Sequence, residues 1–147
     1  MSKAEFVYVT TIDKLWQALT AGEITRRYWF GIKARSSYER GTPWRLVAPD
    51  GRVFDSGEVL ESDPPRHLAI SWRHELDPAL RAEGLSHASF SLEANGDMVK
   101  STVVHSSDAS PSKLVEAVSQ GWPLVLSSLK SLMETGQSLE QTRQLPR

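Results

Sequence analysis

Residues 4–10, "AEFVYVT", alternate Phe6, Tyr8 and Thr10 against Val7 and Val9, the two-residue period of a strand. In "TIDKLWQALTAGEITRRYWFG" the spacing becomes helical. Leu15, Trp16 and Leu19 share a face, Gly22 offers a C-terminal stop, and Ile24, Tyr28 and Trp29 mark a second short helix. "PWRLVA" at 43–48 and "RVFDSGEVLE" at 52–61 flank an Asp-Gly turn at 49–51, which predicts a hairpin. The two prolines of "SDPPR" at 62–66 cannot donate to a ladder and end that run. It resumes as "HLAISWRH", with Leu68, Ile70, Trp72 and His74 on one face and His67, Ala69, Ser71 and Arg73 on the other. A second hairpin forms around Asn95-Gly96. Ala88, Phe90 and Leu92 share a face of its first strand, and Val99, Ser101, Val103 and His105 a face of its second. The polar loop 75–84 is longer than a hairpin needs, and its "PALRAE" can form one helical turn, a candidate lid.

The last pattern is the longest. Ser110 can cap and Pro111 can open a helix whose Leu114, Val115, Val118, Trp122, Val125, Leu126, Leu129, Leu132 and Met133 form one apolar stripe. The stripe passes through Gly121-Trp122-Pro123. Either one kinked helix tolerates the missing N–H of Pro123, at about 3 kcal/mol if nothing compensates, or the helix breaks near Gln120 and Pro123 opens a new segment. The unbroken phase favours a single helix, with Gly121 relieving crowding against the sheet and Trp122 facing inward. From Gly136 the pattern is lost, so residues 1–136 read as one domain and 137–147 as a frayed, disordered polar tail. Hairpin-linked strands and one long apolar helix define an α+β fold, an antiparallel sheet of six or seven strands gripping the terminal helix.

Composition narrows the partners. A chain of 147 residues, 39% hydrophobic and 24% charged, suits a single core. Lys and Arg number 17 against 18 Asp and Glu with no basic block, which argues against nucleic acid. The absence of cysteine excludes disulfides, thiolate metal ligands and a Cys nucleophile, and fits a reducing cytoplasm. No segment approaches 18 apolar residues and the N-terminus lacks a signal-type apolar run, so a soluble protein without a membrane partner is expected.

In order along the chain, "WQALT", "RYWFG", "PWRLVAPDG", "GEVLESDPPRHLAISW", "HASFSLE" with its "NGD" turn, "TVVHSS" and "GWPLVLSSLK" resemble the activator of heat-shock-protein-90-kDa ATPase homologue-like proteins. These belong to the START-related SRPBCC superfamily, with the Bet-v-type helix-grip fold. In such proteins the terminal helix passes through Gly-Trp into polar residues, whereas here Pro123 follows the tryptophan. The resemblance implies a cavity between sheet and terminal helix, filled by side chains or by a ligand. It leaves function open among ligand carriers, polyketide cyclases and aromatases, hydroxynitrile-type lyases and co-chaperone domains.

Trp29, Trp44, Trp72 and Trp122 fall on or beside inward faces, either as core filling or as walls whose indole N–H groups meet polar partners; Trp16 reads as packing. His74 and His105 also face inward, as hydrogen-bonded core residues or as polar anchors for a ligand. No His-x-x-x-His or comparable spacing suggests a metal. Asp55, if it points inward near either histidine, supplies a general base. Without a Gly-x-Ser-x-Gly elbow, a Ser-x-x-Lys motif or a phosphate loop, no nucleophile, nucleotide or cofactor is implied. Arg26 and Arg27 read as a solvated helix end, or as a carboxylate-binding pair at a cavity mouth.

These readings lead to a non-catalytic protein that binds a small, largely hydrophobic or aromatic molecule. Its candidate site comprises Trp29, Trp44, Trp72, His74, Phe90, Val103, His105, Val118, Trp122 and Leu126. A cyclase or aromatase is the enzymatic alternative and requires at least two of His74, His105 and Asp55 in one cavity. A chaperone-regulating interaction module is the third reading and requires an exposed apolar patch. A homodimer through a sheet edge or the terminal helix is compatible with all three.

Overall fold

The N-terminal alternation forms β1 (Ser2–Val9), and the helical spacing after it forms α1 (Ile12–Thr20) and α2 (Gly22–Tyr28). Then come β2 (Lys33–Arg35), β3 (Pro43–Val47), β4 (Val53–Asp63), β5 (His67–His74), α3 (Pro78–Ala82), β6 (Ser86–Asn95), β7 (Met98–Ser106) and α4 (Lys113–Thr135), with a single 3-10 turn at Glu140–Thr142. This computed structural model describes residues 1–145. The strands make one curled antiparallel sheet in the order β1-β7-β6-β5-β4-β3-β2, and α4 packs in its concave face, the expected helix-grip architecture. Both hairpins form at the expected turns, and Leu68, Ile70, Trp72, Ala88, Phe90, Leu92, Val99 and Val103 all point into the core. Among the described residues no helix is long and apolar enough to cross a membrane.

Both sheet edges are closed by helix side chains. On β1 the Val9 N–H donates to Glu134 Oε2 (3.2 Å), while Lys130 Nζ donates to the Val7 carbonyl (2.6 Å). On β2 the Ala34 N–H donates to Thr25 Oγ1 (2.9 Å), which in turn donates to the Ile32 carbonyl (3.1 Å). Unpaired edge groups are what another strand would dock onto, so a second copy joining at β1 must first displace Lys130 and Glu134. Gly22 allows the β2 closure: a Cβ there would lie 2.8 Å from the Ala34 carbonyl oxygen. The expected stop at Gly22 is thus corrected, since Ala21 ends α1 and Gly22 opens α2.

Helix α4 is continuous through Pro123. Its ring is on the exposed side, while Trp122, Val125, Leu126, Leu129 and Leu132 are buried against the sheet. Gly121 does not relieve crowding as expected, because a Cβ there would meet nothing within 4 Å. The cap is also corrected. Ser112 rather than Ser110 caps the helix, its hydroxyl accepting from the Val115 N–H (3.1 Å). Glu83 completes the cap, accepting from Ser112 Oγ (2.6 Å) and from the N–H groups of Lys113 (2.8 Å) and Leu114 (3.3 Å). A carboxylate suits the free amides and partial positive charge of a helix N-terminus, and this one comes from the far end of the 75–84 loop.

The frayed tail expected from residue 137 is corrected for the described part, residues 137–145. Gly136 stops α4 in the left-handed region (φ +83°) and the chain folds back. Buried Ser128 accepts from the Leu139 N–H (3.0 Å) and donates to Thr142 Oγ1 (2.6 Å), whose own hydroxyl donates to the Leu139 carbonyl (2.9 Å). The Phe30 N–H then donates to the Thr142 carbonyl (2.6 Å). Residues 146 and 147 lie outside the described residues.

One glycine controls the centre of the sheet. Gly57 on β4 pairs with Trp44 of β3, so its missing side chain leaves the inward face empty between two strands that carry tryptophan. Trp44 and Trp72 meet there with ring centroids 4.5 Å apart. A Cβ on Gly57 would lie 1.7 Å from the Ser71 carbonyl oxygen, so β4 and β5 must separate to admit one. Gly57→Ala is expected to cost roughly 1–3 kcal/mol by overpacking. Urea denaturation followed by tryptophan fluorescence checks it; an unchanged midpoint would remove the role given to Gly57.

Candidate functional site

Four indoles and an imidazole gather where α4 crosses the sheet. The Trp122 ring meets Trp29 edge-on at 5.3 Å, Trp72 at 5.7 Å and Phe90 at 5.7 Å, and Trp72 lies 5.0 Å from His105. Such tilted arrangements suit the aromatic quadrupole. Their polar atoms form one chain. Ser86 Oγ donates to the Trp72 carbonyl (2.9 Å), so it has its lone pairs left for His105 Nε2–H (2.8 Å), and His105 Nδ1 accepts from Trp122 Nε1 (3.4 Å). The tautomer follows from this directionality. Burial pushes the His105 pKa down to about 4, which leaves the ring neutral at pH 7 and able to accept from Trp122.

Beside this cluster lies a cavity of about 220 Å³. The sheet contributes Leu46, Asp55, Trp72 and His74; the turn after α2 contributes Trp29 and Phe30; α3 contributes Leu80; and α4 contributes Leu114, Ala117, Val118, Gly121, Trp122 and Val125. Ala117 is exposed, so the cavity reaches solvent between α3 and α4. Phe30 keeps a positive φ of +53°, a strained conformation for a side chain of this size, held from outside by the Thr142 carbonyl.

The cavity wall is apolar except at one point. Asp55 and His74 are direct cross-strand partners on β4 and β5, so both face inward. Asp55 is 8% exposed; its Oδ1 accepts from Trp72 Nε1 (2.8 Å) and from His74 Nδ1 (3.1 Å). The hydrogen bond to Asp55 raises the His74 pKa above the ordinary histidine value, against the opposing effect of partial burial. Glu75, one residue on, points the other way and accepts from Ser56 Oγ (2.6 Å) and Arg73 Nε (2.7 Å).

Of the ten residues expected at the site, Trp29, Trp72, His74, Val118 and Trp122 line the cavity. Trp44, Phe90, Val103, His105 and Leu126 do not; they are buried behind it, with Trp44 and Phe90 bordering a separate void of about 10 Å³ beside Trp16. His105 fails to reach the cavity because Trp122 lies against it. Asp55 and His74 therefore share the cavity, and His105 stands apart. Arg26 and Arg27 are away from the mouth: Arg26 pairs with Glu23 (3.0 Å), and Arg27 donates to the Gly136 carbonyl (3.4 Å). Pattern reading missed Phe30, Leu46, Leu114, Ala117, Gly121 and Val125 as lining residues, and Leu80 was visible only as part of the candidate lid. Among the described residues no group of three His, Asp or Glu side chains could hold a metal ion.

A curled sheet gripping a terminal helix, with a cavity between them, defines a helix-grip protein of the SRPBCC type. The family model described as activator of Hsp90 ATPase homolog 1-like protein matches residues 9–134, and the chain belongs to that family. The fold is similar to the Aha1 dimer from Colwellia psychrerythraea (TM-score 0.74, 17% identity, 93% of this chain and 98% of that one). It is similar as well to CalU16 from Micromonospora echinospora (TM-score 0.71, 23% identity, 91% and 76%). DynU16, a putative protein in the dynemicin biosynthetic locus, aligns with a TM-score of 0.76 and 19% identity over 93% of this chain and 48% of that one. At these identities the likeness is one of fold. No curated protein matches the sequence.

The buried imidazole makes stability depend on pH. His105 titrates near 4 in the fold and near 6.5 when unfolded. Between those values only the unfolded chain takes up the proton, so stability falls as the pH drops from 6.5 towards 4. The loss at pH 5 relative to pH 7.5 is about 2 kcal/mol. His74, with its raised pKa, acts in the opposite sense: its contribution is lost as the pH rises through its folded pKa and is complete below about 6.5, so it offsets part of the fall from pH 7.5 and none of the fall below 6.5. Urea midpoints between pH 7.5 and 5 should show the decline in the native chain and a much flatter profile in His105→Gln. Equal slopes in the two proteins would contradict the assignment.

Proposed function

We propose that this protein binds a small, largely apolar, aromatic molecule in the cavity between the sheet and α4. The observation that carries the reading is the wall itself: Trp29, Phe30, Trp72 and Trp122 surround about 220 Å³ of space that opens to solvent. An apolar cavity of about 150 Å³ is enough to take benzene, so this one suits one aromatic ring or two fused rings. Aromatic walls of this kind give affinity through area and shape, and few polar groups are needed to set orientation. Asp55 and His74 supply those groups.

The same pair favours a second reading, acid–base chemistry on a bound substrate. Two of the three candidate groups meet at the cavity, as such an enzyme requires. The chaperone-regulating reading draws on the family description alone. Among the described residues the exposed large apolar side chains are Met1, Val7, Val9, Leu76, Leu85, Met98 and Leu124, of which Val9 and Met98 are paired across β1 and β7.

Gly121 provides the test of ligand binding. A side chain there enters empty space at the cavity wall, so Gly121→Leu is expected to fill the cavity while raising helix propensity by up to about 1 kcal/mol. Naphthalene binding, read by quenching of tryptophan fluorescence, should weaken at least tenfold in the variant with no fall in melting temperature. Undiminished binding in Gly121→Leu would place the ligand elsewhere.

A further inference from the structure

We propose that the ligand is a neutral aromatic molecule of one or two rings bearing a hydroxyl group, which donates to Asp55 and accepts from His74. The inference rests on the ligand-binding reading above and specifies its polar end. Asp55 and His74 are the only ionisable residues among those lining the cavity, and they are joined by a hydrogen bond at 3.1 Å. That bond and the Trp72 N–H both converge on Asp55 Oδ1. Among the described residues, Oδ2 of Asp55 and Nε2 of His74 have no hydrogen-bond partner, so each pairing partner keeps one valence for a ligand.

Charge decides what that ligand carries. The hydrogen bond to Asp55 raises the proton affinity of His74, and a protonated His74 paired with the Asp55 carboxylate carries no net charge. A ligand carboxylate accepts from His74 but leaves the site with a net negative charge facing Asp55. A ligand ammonium satisfies Asp55 but leaves a net positive charge beside His74. Either excess is costly in a cavity whose other walls are apolar. A hydroxyl adds no charge and is both donor and acceptor, which matches the two free atoms. A plain hydrocarbon fills the volume but leaves both of them unpaired, a loss of the kind by which polar pockets reject ligands that lack the matching group.

The test uses four probes of similar shape on the full chain: naphthalene, 2-naphthol, 2-naphthoate and 2-naphthylmethylamine, with affinity from tryptophan quenching and calorimetry at pH 7. The expected order places 2-naphthol at least tenfold tighter than each of the other three. In His74→Leu, with folding checked by circular dichroism, naphthalene binding should persist while the preference for 2-naphthol falls to within about threefold. Asp55→Asn, which keeps an acceptor for Trp72, should reduce the same preference. If naphthalene and 2-naphthol bind the native chain equally, or if the acid or the amine binds tightest, this inference is overturned and the ligand cavity stands. If none of the four binds, both are overturned.

Discussion

The position of α4 on the sheet depends on one buried hydrogen-bond chain, from the Trp122 indole through His105 and Ser86 to the Trp72 carbonyl. Apolar contacts alone would let a helix slide or turn on a curved sheet at little cost, since many side-chain interdigitations are close in energy. The chain removes that freedom. Among the described residues the Trp122 N–H has one acceptor, His105 Nδ1, and that acceptor is placed by β7, by Ser86 at the start of β6 and by the end of β5. Three strands thus specify one helix residue. The arrangement requires a neutral imidazole, which is what full burial supplies.

The remaining walls of the cavity are held from outside in a similar way. Leu80 stands over the opening because α3 is tied at its end by Glu83, whose carboxylate caps α4. Phe30 keeps a conformation with positive φ because the residues after α4 return to bind its N–H. The helix therefore organises its own surroundings at both ends, through its cap at one and through the returning segment at the other. None of these ties crosses the cavity. The space is kept open by bonds made around its rim, and its interior carries only the Asp55 and His74 pair and apolar walls.

Much of this fold was legible because sheets and helices write their burial into periodicity. The alternation at 67–74 and 88–105 assigned each inward residue correctly, and the phase of the α4 stripe carried through Pro123. What was not legible depends on contacts distant in sequence. The Ser110 cap was plausible locally, but Ser112 takes the role because Glu83, 29 residues earlier, completes it. The return of residues 137–145 has no apolar pattern, since Ser128, Leu139 and Thr142 are joined by hydrogen bonds that hydropathy does not encode. At the site, alternation could bring His74 and His105 inward. It could not tell that Trp122 would lie between His105 and the cavity, or that strand register sets Asp55 opposite His74. A short strand such as β2, three residues long, is below the length at which a period can be read.

The Gly-Trp-Pro sequence of α4 now divides into three separate physical roles. Pro123 lies on the exposed side of the helix, where water can satisfy the Ser119 carbonyl that loses its N–H partner. Trp122 is the wall fixed by His105. Gly121 lines the cavity beside Trp122, and in a helix interior it costs about 1 kcal/mol relative to alanine. An alanine would meet nothing there. Packing therefore gives no reason for the glycine, and neither does backbone conformation within a regular helix. Its one structural consequence is additional room beside Trp122 at the wall of the cavity.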